Sequence, residues 1–242
     1  MAPSSVVAIV PAAGAGVRLG AGIPKALVEL DGVSIVRRTI DILSQTHRFD
    51  RFIVTAPSDS RPAFEQVLGG VPDVTVIAGG SDRQASVALA VQFLERAMPT
   101  LFPGGTILVH DAARCLVDGK VISRCLAARG EARALTAALP VVDACVRADT
   151  VGVMTSRIDR AGLFLVQTPQ VFEAGLLAAA HARGESGALD DASLVAPLER
   201  VVLVEGDRAN IKVTTAEDLA HARLILRGRR TVEYGHGEDG RV

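Results

Sequence analysis

The sequence predicts an α/β protein built on a mainly parallel, doubly wound sheet with helices on both faces. Three observations carry that prediction. Short apolar runs of strand length alternate with segments of helical spacing from Val6 to Asp111. The chain is 49% hydrophobic but only 3% aromatic, which suits Val, Ile and Leu strands covered by Ala- and Leu-rich helices. Glycine-rich or charged turns follow three of the apolar runs, and ligands on such sheets sit at the carboxyl ends of strands.

Each element follows from local pattern. Val6–Val10 is a buried-strand run stopped by Pro11. Leu27–Leu30, Asp31–Gly32 and Val33 read as a tight turn between two short extended pieces. Ser34 caps a helix to about Ser44, with Val36, Ile40 and Leu43 on one side. Arg51–Ala56 is the second strand of the main sheet, and a helix runs from Asp59 to near Gly69. Val74–Ala78 is the third strand. The helix from Asp82 to Ala97 places Val87, Ala90, Val91 and Leu94 on one buried face. Thr106–His110 is the fourth strand and Ala134–Val141 the fifth. Cys145–Ser156 has a different texture, two short β-like runs, and is expected as an arm outside the sheet, about residues 143–160. Leu163–Val166 is a short extended run leading into Gln167–Gln170. A helix over Glu173–Arg183, a strand at Val201–Asp207 and a helix over Ala216–Leu226 complete one domain, residues 1–227. Residues 228–242 lack apolar periodicity and are expected to be a disordered tail.

The loop after the first strand holds Gly14, Gly16, Gly20 and Gly22, with Arg18 among them and Lys25 beyond. Successive backbone N–H groups in such a loop form a concavity for anions. Two cations there favour a polyphosphate. A Walker loop fails, because Lys25 lies between Pro24 and Ala26. A dinucleotide fingerprint fails too: the glycines are one residue too widely spaced and Pro24 interrupts the expected helix. The plainer reading is a glycine turn between strand and helix.

Other candidates lie on the same sheet edge. Asp111, at the tip of the fourth strand, suits Mg²⁺ held with substrate phosphates, or the N-cap of the next helix. His110 reads as a structural hydrogen-bonder. Gly79–Ser86 offers backbone N–H groups to a base or ribose, or ordinary capping by Ser81 or Asp82. No Ser-His-Asp or Cys-His arrangement stands out, which disfavours covalent catalysis. Phosphoryl or nucleotidyl transfer remains, where positioning and charge stabilisation dominate.

A formal net charge of −1 argues against a nucleic-acid or membrane footprint. The cysteines Cys115, Cys125 and Cys145 fit reduced thiols, and the apolar runs are too short to span a bilayer, so a cytoplasmic protein is expected.

The ordered motifs P-A-A-G-x-G-x-R-L-x(5)-K, G-G-x-x-R-x-x-S-V, V-H-D-A-A-R, D-R-x-G-L-x-x-x-Q-T-P-Q-x-F, D-D-A-S and N-I-K-V-T-x-x-E-D-L span residues 6–226. Together they resemble the 2-C-methyl-D-erythritol 4-phosphate cytidylyltransferase family. The resemblance implies a Rossmann-like nucleotidyltransferase fold, a homodimer joined through its β-arms, Mg²⁺, CTP, and release of pyrophosphate in non-mevalonate isoprenoid synthesis. By matched position it implies that Arg18, Lys25 and Lys212 are catalytic. Ala12, Ala13, Gly14, Gly16, Gly80, Arg83 and Ser86 would hold the nucleotide. Asp111 would bind metal and substrate, and Arg114, Arg160 and Thr168 would bind the polyol phosphate. Ala144 and Leu189 stand where the family usually has threonine, and Cys115 where it usually has proline. Those departures keep two alternatives in view: another acceptor, such as ribitol 5-phosphate, or a nucleotide-binding homologue without turnover.

Overall fold

The structure, a computed structural model, describes residues 5–14, 22–185 and 187–235. The first apolar run forms β1 (Val6–Pro11), with Pro11 as its last residue. A hairpin of β2 (Glu29–Leu30) and β3 (Val33–Ser34) follows. Its turn residues Asp31 and Gly32 have φ of 51° and 77°, the left-handed pair that a two-residue hairpin loop requires. Ser34 then caps α1 (Ile35–Thr46), its Oγ accepting from the Arg37 N–H at 3.3 Å.

β4 (Arg51–Ala56), α2 (Arg61–Val67), β5 (Val74–Ala78) and α3 (Arg83–Ala97) continue the alternation. α2 begins behind Ser60, slightly later than the expected Asp59. β6 (Thr106–Val109), α4 (Gly119–Ala128) and β7 (Ala134–Pro140) follow. The chain then leaves the sheet as the expected arm, the hairpin β8 (Cys145–Ala148) and β9 (Met154–Ile158). It returns as β10 (Phe164–Glu173), and the Val141 N–H donates to the Leu163 carbonyl at 3.0 Å where the two ends meet. The last elements are α5 (Ala174–Ala182), α6 (Asp191–Val195), β11 (Val201–Glu205) and α7 (Ala216–Gly235).

The main sheet has the order β11-β7-β10-β6-β1-β4-β5. Its pairings are parallel except at β10, which runs antiparallel to both β6 and β7. Strand alternation divides the core into two layers. Ala8, Val10 and Leu108 face α1, α2 and α4, where Ile40, Phe64 and Val121 are buried. Val7, Ile9 and Val109 face α3, α5 and α6, where Val91, Leu94, Leu177 and Val195 are buried. α7 is docked through Ala222 on a third cluster with Leu30, Ile35 and Leu116.

Two expectations change. The run starting near Leu163 is no short piece: it continues through Gln167–Gln170 as a ten-residue strand in the middle of the sheet. The final helix does not stop at Leu226 but runs to Gly235, so residues 228–235 are helical rather than a disordered tail. Arg227 and Arg229 are good helix formers, and extending a docked helix requires no new nucleus. Residues 236–242 lie outside the described residues.

All three cysteines carry free thiols. Burial pushes the Cys115 thiol up to about 11 and the Cys125 thiol up to about 12, so both are inert. Among the described residues, no helix is long and apolar enough to cross a membrane.

Candidate active site

The loops after β1, β5 and β6 converge, as the topology requires, on one cavity of about 260 Å³ at the carboxyl edge of the sheet. The β1 loop supplies Ala12, Ala13 and Gly14; Lys25 faces them from the one-turn helix Lys25–Leu27. Gly80, Ser81, Asp82, Arg83 and Ser86 form another wall, Asp111 the floor, and Lys212 closes over it. Arg18 and Gly16 lie outside the described residues.

Close backbone packing explains the Gly79–Gly80 pair. A Cβ on Gly79 would lie 2.4 Å from the Ala13 Cβ, and one on Gly80 would lie 2.5 Å from the Ala85 Cβ. A larger residue at Gly79 would push the β5 loop off the β1 loop, and one at Gly80 would press on the first turn of α3. Asp82 does cap α3, with its Oδ1 accepting from the Ala85 N–H at 2.8 Å. The Ser86 hydroxyl accepts from the Gly80 N–H at 3.0 Å and donates to the Asp82 carbonyl at 2.7 Å. It therefore shapes the loop, which leaves backbone groups to meet a ligand.

Asp111 is 6% exposed and is in contact with two cations of the cavity. Arg83 Nε donates to its Oδ1 at 2.7 Å, and Lys212 Nζ lies 2.7 Å from its Oδ2. Burial pushes its carboxyl pKa up, but Arg83 and Lys212 outweigh burial and hold it well below the usual carboxylate range. Asp111 is thus an anion at any working pH. It does not cap the next helix: Asp118 caps α4, accepting from the Lys120 N–H at 2.8 Å.

Beneath the floor, His110 is fully buried, and burial drives its pKa down to about 4 despite its bond to the Arg114 carbonyl. Its contacts fix the neutral tautomer. Nε2 lies 3.2 Å from the Arg114 carbonyl, which can only accept, so Nε2 carries the proton. Nδ1 then accepts from the Thr168 hydroxyl at 3.0 Å, and that same oxygen accepts from the Asp111 N–H at 3.1 Å. His110 is a structural hydrogen-bonder, as its sequence context predicted, and Thr168 sits under Asp111.

Lys212 rides on an irregular segment that buried amides hold. Asn210, fully buried, donates to the Thr168 carbonyl at 2.8 Å, and Gln167 donates to the Asp207 carbonyl at 2.9 Å. Arg114 donates to the Asn210 carbonyl at 2.8 Å. Arg114 is therefore built into the support of Lys212, and it is not among the residues lining the cavity.

The chain as a whole matches one known group. Residues 6–228 match the model of the 2-C-methyl-D-erythritol 4-phosphate cytidylyltransferase family. The chain belongs to that family. A relative of that description from Saccharopolyspora erythraea is 42% identical over 225 residues, covering 92% of this chain and 99% of the relative. One from Nocardia farcinica is 43% identical over 224 residues, covering 92% and 94%. A crystal structure of a 4-diphosphocytidyl-2C-methyl-D-erythritol synthase aligns with a TM-score of 0.80 at 31% identity, covering 93% of this chain and 99% of that one. The family's cytidylyltransferase from Thermus thermophilus aligns at 0.73 and 28% identity, covering 90% and 98%.

Within this family member the remaining expected residues lie apart. Arg160 is on the arm side, donating to the Val142 carbonyl, in a second cavity with Ala144, Arg157 and Asp159. Neither it nor Ala144 lines the first cavity. Leu189 is 90% exposed on the loop before α6. One site residue had no role assigned from sequence. Asp191, 1% exposed, accepts from Arg83 NH1 at 2.8 Å through Oδ2 and pairs with His181 Nε2 at 3.1 Å through Oδ1. Its sequence signal is its place in the D-D-A-S motif.

Proposed function

We propose that this chain transfers the cytidylyl group of CTP to 2-C-methyl-D-erythritol 4-phosphate, giving 4-diphosphocytidyl-2-C-methyl-D-erythritol and pyrophosphate, as a cytoplasmic step in isoprenoid precursor synthesis. The observation that carries the reading is Asp111 held between Arg83 and Lys212 at the floor of a glycine-walled cavity, with Lys25 on its rim. An oxygen of the acceptor phosphate attacks the α-phosphorus of CTP. The bond from that phosphorus to the bridging oxygen of the β-phosphate breaks, and pyrophosphate leaves. Lys25 and Lys212 supply positive charge where negative charge develops in the transition state. Ala12–Gly14 and Gly80 offer backbone to the nucleotide.

Mg²⁺ belongs to the same proposal. Among the described residues no group of three or more His, Cys, Asp or Glu gathers for a metal. Mg²⁺ does not require one, since it commonly arrives on a triphosphate and takes one or two carboxylates. Asp111 fits: it is ionised, and its Oδ2 is covered by a half-exposed lysine that phosphate can draw away. Asp111 would hold the ion, which neutralises charge on the triphosphate and on the leaving pyrophosphate.

The acceptor side is proposed to be completed by a second copy. Val146, Val151, Val153 and Met154 stand exposed on the arm, an apolar surface that a symmetric partner arm would cover. Arg160, on the same arm, would then reach the acceptor phosphate of the neighbouring site. The test is pyrophosphate release with CTP, Mg²⁺ and methylerythritol phosphate, with ribitol 5-phosphate in parallel. Release with methylerythritol phosphate is the expected result. Release with ribitol phosphate alone would move the protein to another acceptor, and CTP binding without release would leave a non-catalytic homologue.

A further inference from the structure

The D-D-A-S motif divides its two carboxylates between different tasks. Asp190 caps α6, accepting from the Ser193 N–H at 2.7 Å. Asp191 points the other way, into the protein. The Gln170 Oε1 holds the next backbone N–H, that of Ala192, at 3.1 Å, which fixes where Asp191 begins. Full charges then alternate in contact from the interior to the cavity: Asp191, Arg83, Asp111, Lys212. His181, on α5, fixes the rotation of the Asp191 carboxylate from behind.

Arg83 is divided between two carboxylates, Nε on Asp111 and NH1 on Asp191. Its NH2 is buried with no hydrogen-bond partner. A guanidinium fork matches both oxygens of a single carboxylate, and bidentate pairing is its preferred use. Asp191 draws NH1 of Arg83 away from Asp111, so the fork does not close on both Asp111 oxygens. With Asp191 in place, Arg83 takes Oδ1 alone and Oδ2 remains for Lys212 and whatever replaces it when substrate arrives.

We propose that Asp191 is a positioning residue of this reaction, which acts through Arg83 to keep one oxygen of Asp111 available in the cavity. The proposal rests on the cytidylyltransferase reading above and deepens it.

The experiment is a double-mutant cycle of Asp191→Asn and Arg83→Gln, reading kcat, the KM for each substrate and the melting temperature. Asp191→Asn is expected to lower kcat about 10- to 100-fold, the scale of a misplaced catalytic group, and to change the KM for CTP less than about threefold. Asp191→Glu is expected to recover part of kcat. The double variant is expected to be no slower than Arg83→Gln alone, because one residue acts through the other. A folded Asp191→Asn protein with wild-type kcat overturns the proposal, and so do losses that multiply in the double variant. A merely structural Asp191 would lower the melting temperature with no such coupling in kcat.

If Asp191→Asn does not fold, His181 carries the test. His181→Ala is expected to slow turnover several-fold, less than Asp191→Asn because the carboxylate stays in place, and His181→Gln to restore it with its amide donor. Equal kcat in wild type and both variants overturns the proposal. A wild-type protein that releases no pyrophosphate with any polyol phosphate defeats the functional reading instead. The cycle is then read on CTP affinity by calorimetry. Asp191→Asn is expected to shift the CTP Kd by a small factor, up to about threefold, and the shift is expected to vanish in the Arg83→Gln background. An unchanged Kd, or a shift that persists there, overturns the positioning role.

Discussion

The cavity and the arm are built on opposite plans. The cavity floor is a buried lattice in which each polar group is named by its neighbour: His110 by Thr168, Asp111 by Arg83, Lys212 by a segment hung on Asn210. The arm is a two-stranded hairpin with apolar side chains in the open and Arg160 resting on a carbonyl at its base. An isolated two-stranded hairpin is at best marginally stable in water. Among the described residues, the cavity floor is therefore held by buried contacts, while the half proposed to meet the acceptor stands exposed.

Lys25→Ala cuts deepest into the cavity half. It is expected to lower kcat about 100- to 1000-fold, as removal of a preorganised transition-state donor does. The fold should persist, because Lys25 stands on the cavity rim. Near-normal turnover would break the role of the loop. Arg160→Ala tests the open half. The KM for the acceptor phosphate is expected to rise about 10- to 100-fold, the worth of one charged hydrogen bond, with the CTP KM unchanged. An effect on CTP alone would erase the division between the halves.

Acidification probes the buried lattice. The folded His110 titrates at about 4, against 6.5 for an ordinary histidine, so the unfolded chain binds this proton first. Stability is retained above the ordinary value and lost as pH falls from there toward the folded one. The expected loss from this group is about 2 kcal/mol between pH 7 and pH 5. Urea unfolding at both pH values should show a flatter dependence in His110→Gln, and the same slope in both proteins would contradict the burial argument. The smallest expected effect belongs to the open half: Leu189→Thr restores a hydroxyl at an exposed position. It should lower the acceptor KM by at most about 10-fold with no change in melting temperature. A large stability change would mean that Leu189 is covered in the working protein.

The same contrast explains what the sequence disclosed. Strands such as Arg51–Ala56, and the face of α3 with Val87, Ala90, Val91 and Leu94, follow hydrophobic period and emerge within a residue or two. The three loops at the carboxyl edge were legible because topology alone brings them together. β10 was not, because Gln167, Thr168 and Gln170 are buried and polar, satisfied by side-chain bonds that no period reveals. Asp191 escaped for a related reason: a buried acid looks like a capping acid until its partner, Arg83, more than a hundred positions away, is in place. Arg114 differs in the other direction, a motif arginine whose visible contact supports the Lys212 segment.

The bond between Val141 and Leu163 closes the sheet across the base of the arm, so the two chain ends already stand side by side without it. Shortening or lengthening an excursion whose ends are fixed costs little loop entropy, roughly 0.6 kcal/mol per doubling. The arm is in that sense a detachable module. Evolution, or an engineer, can redraft its length and chemistry to suit a different acceptor while the nucleotide machinery behind it is left undisturbed.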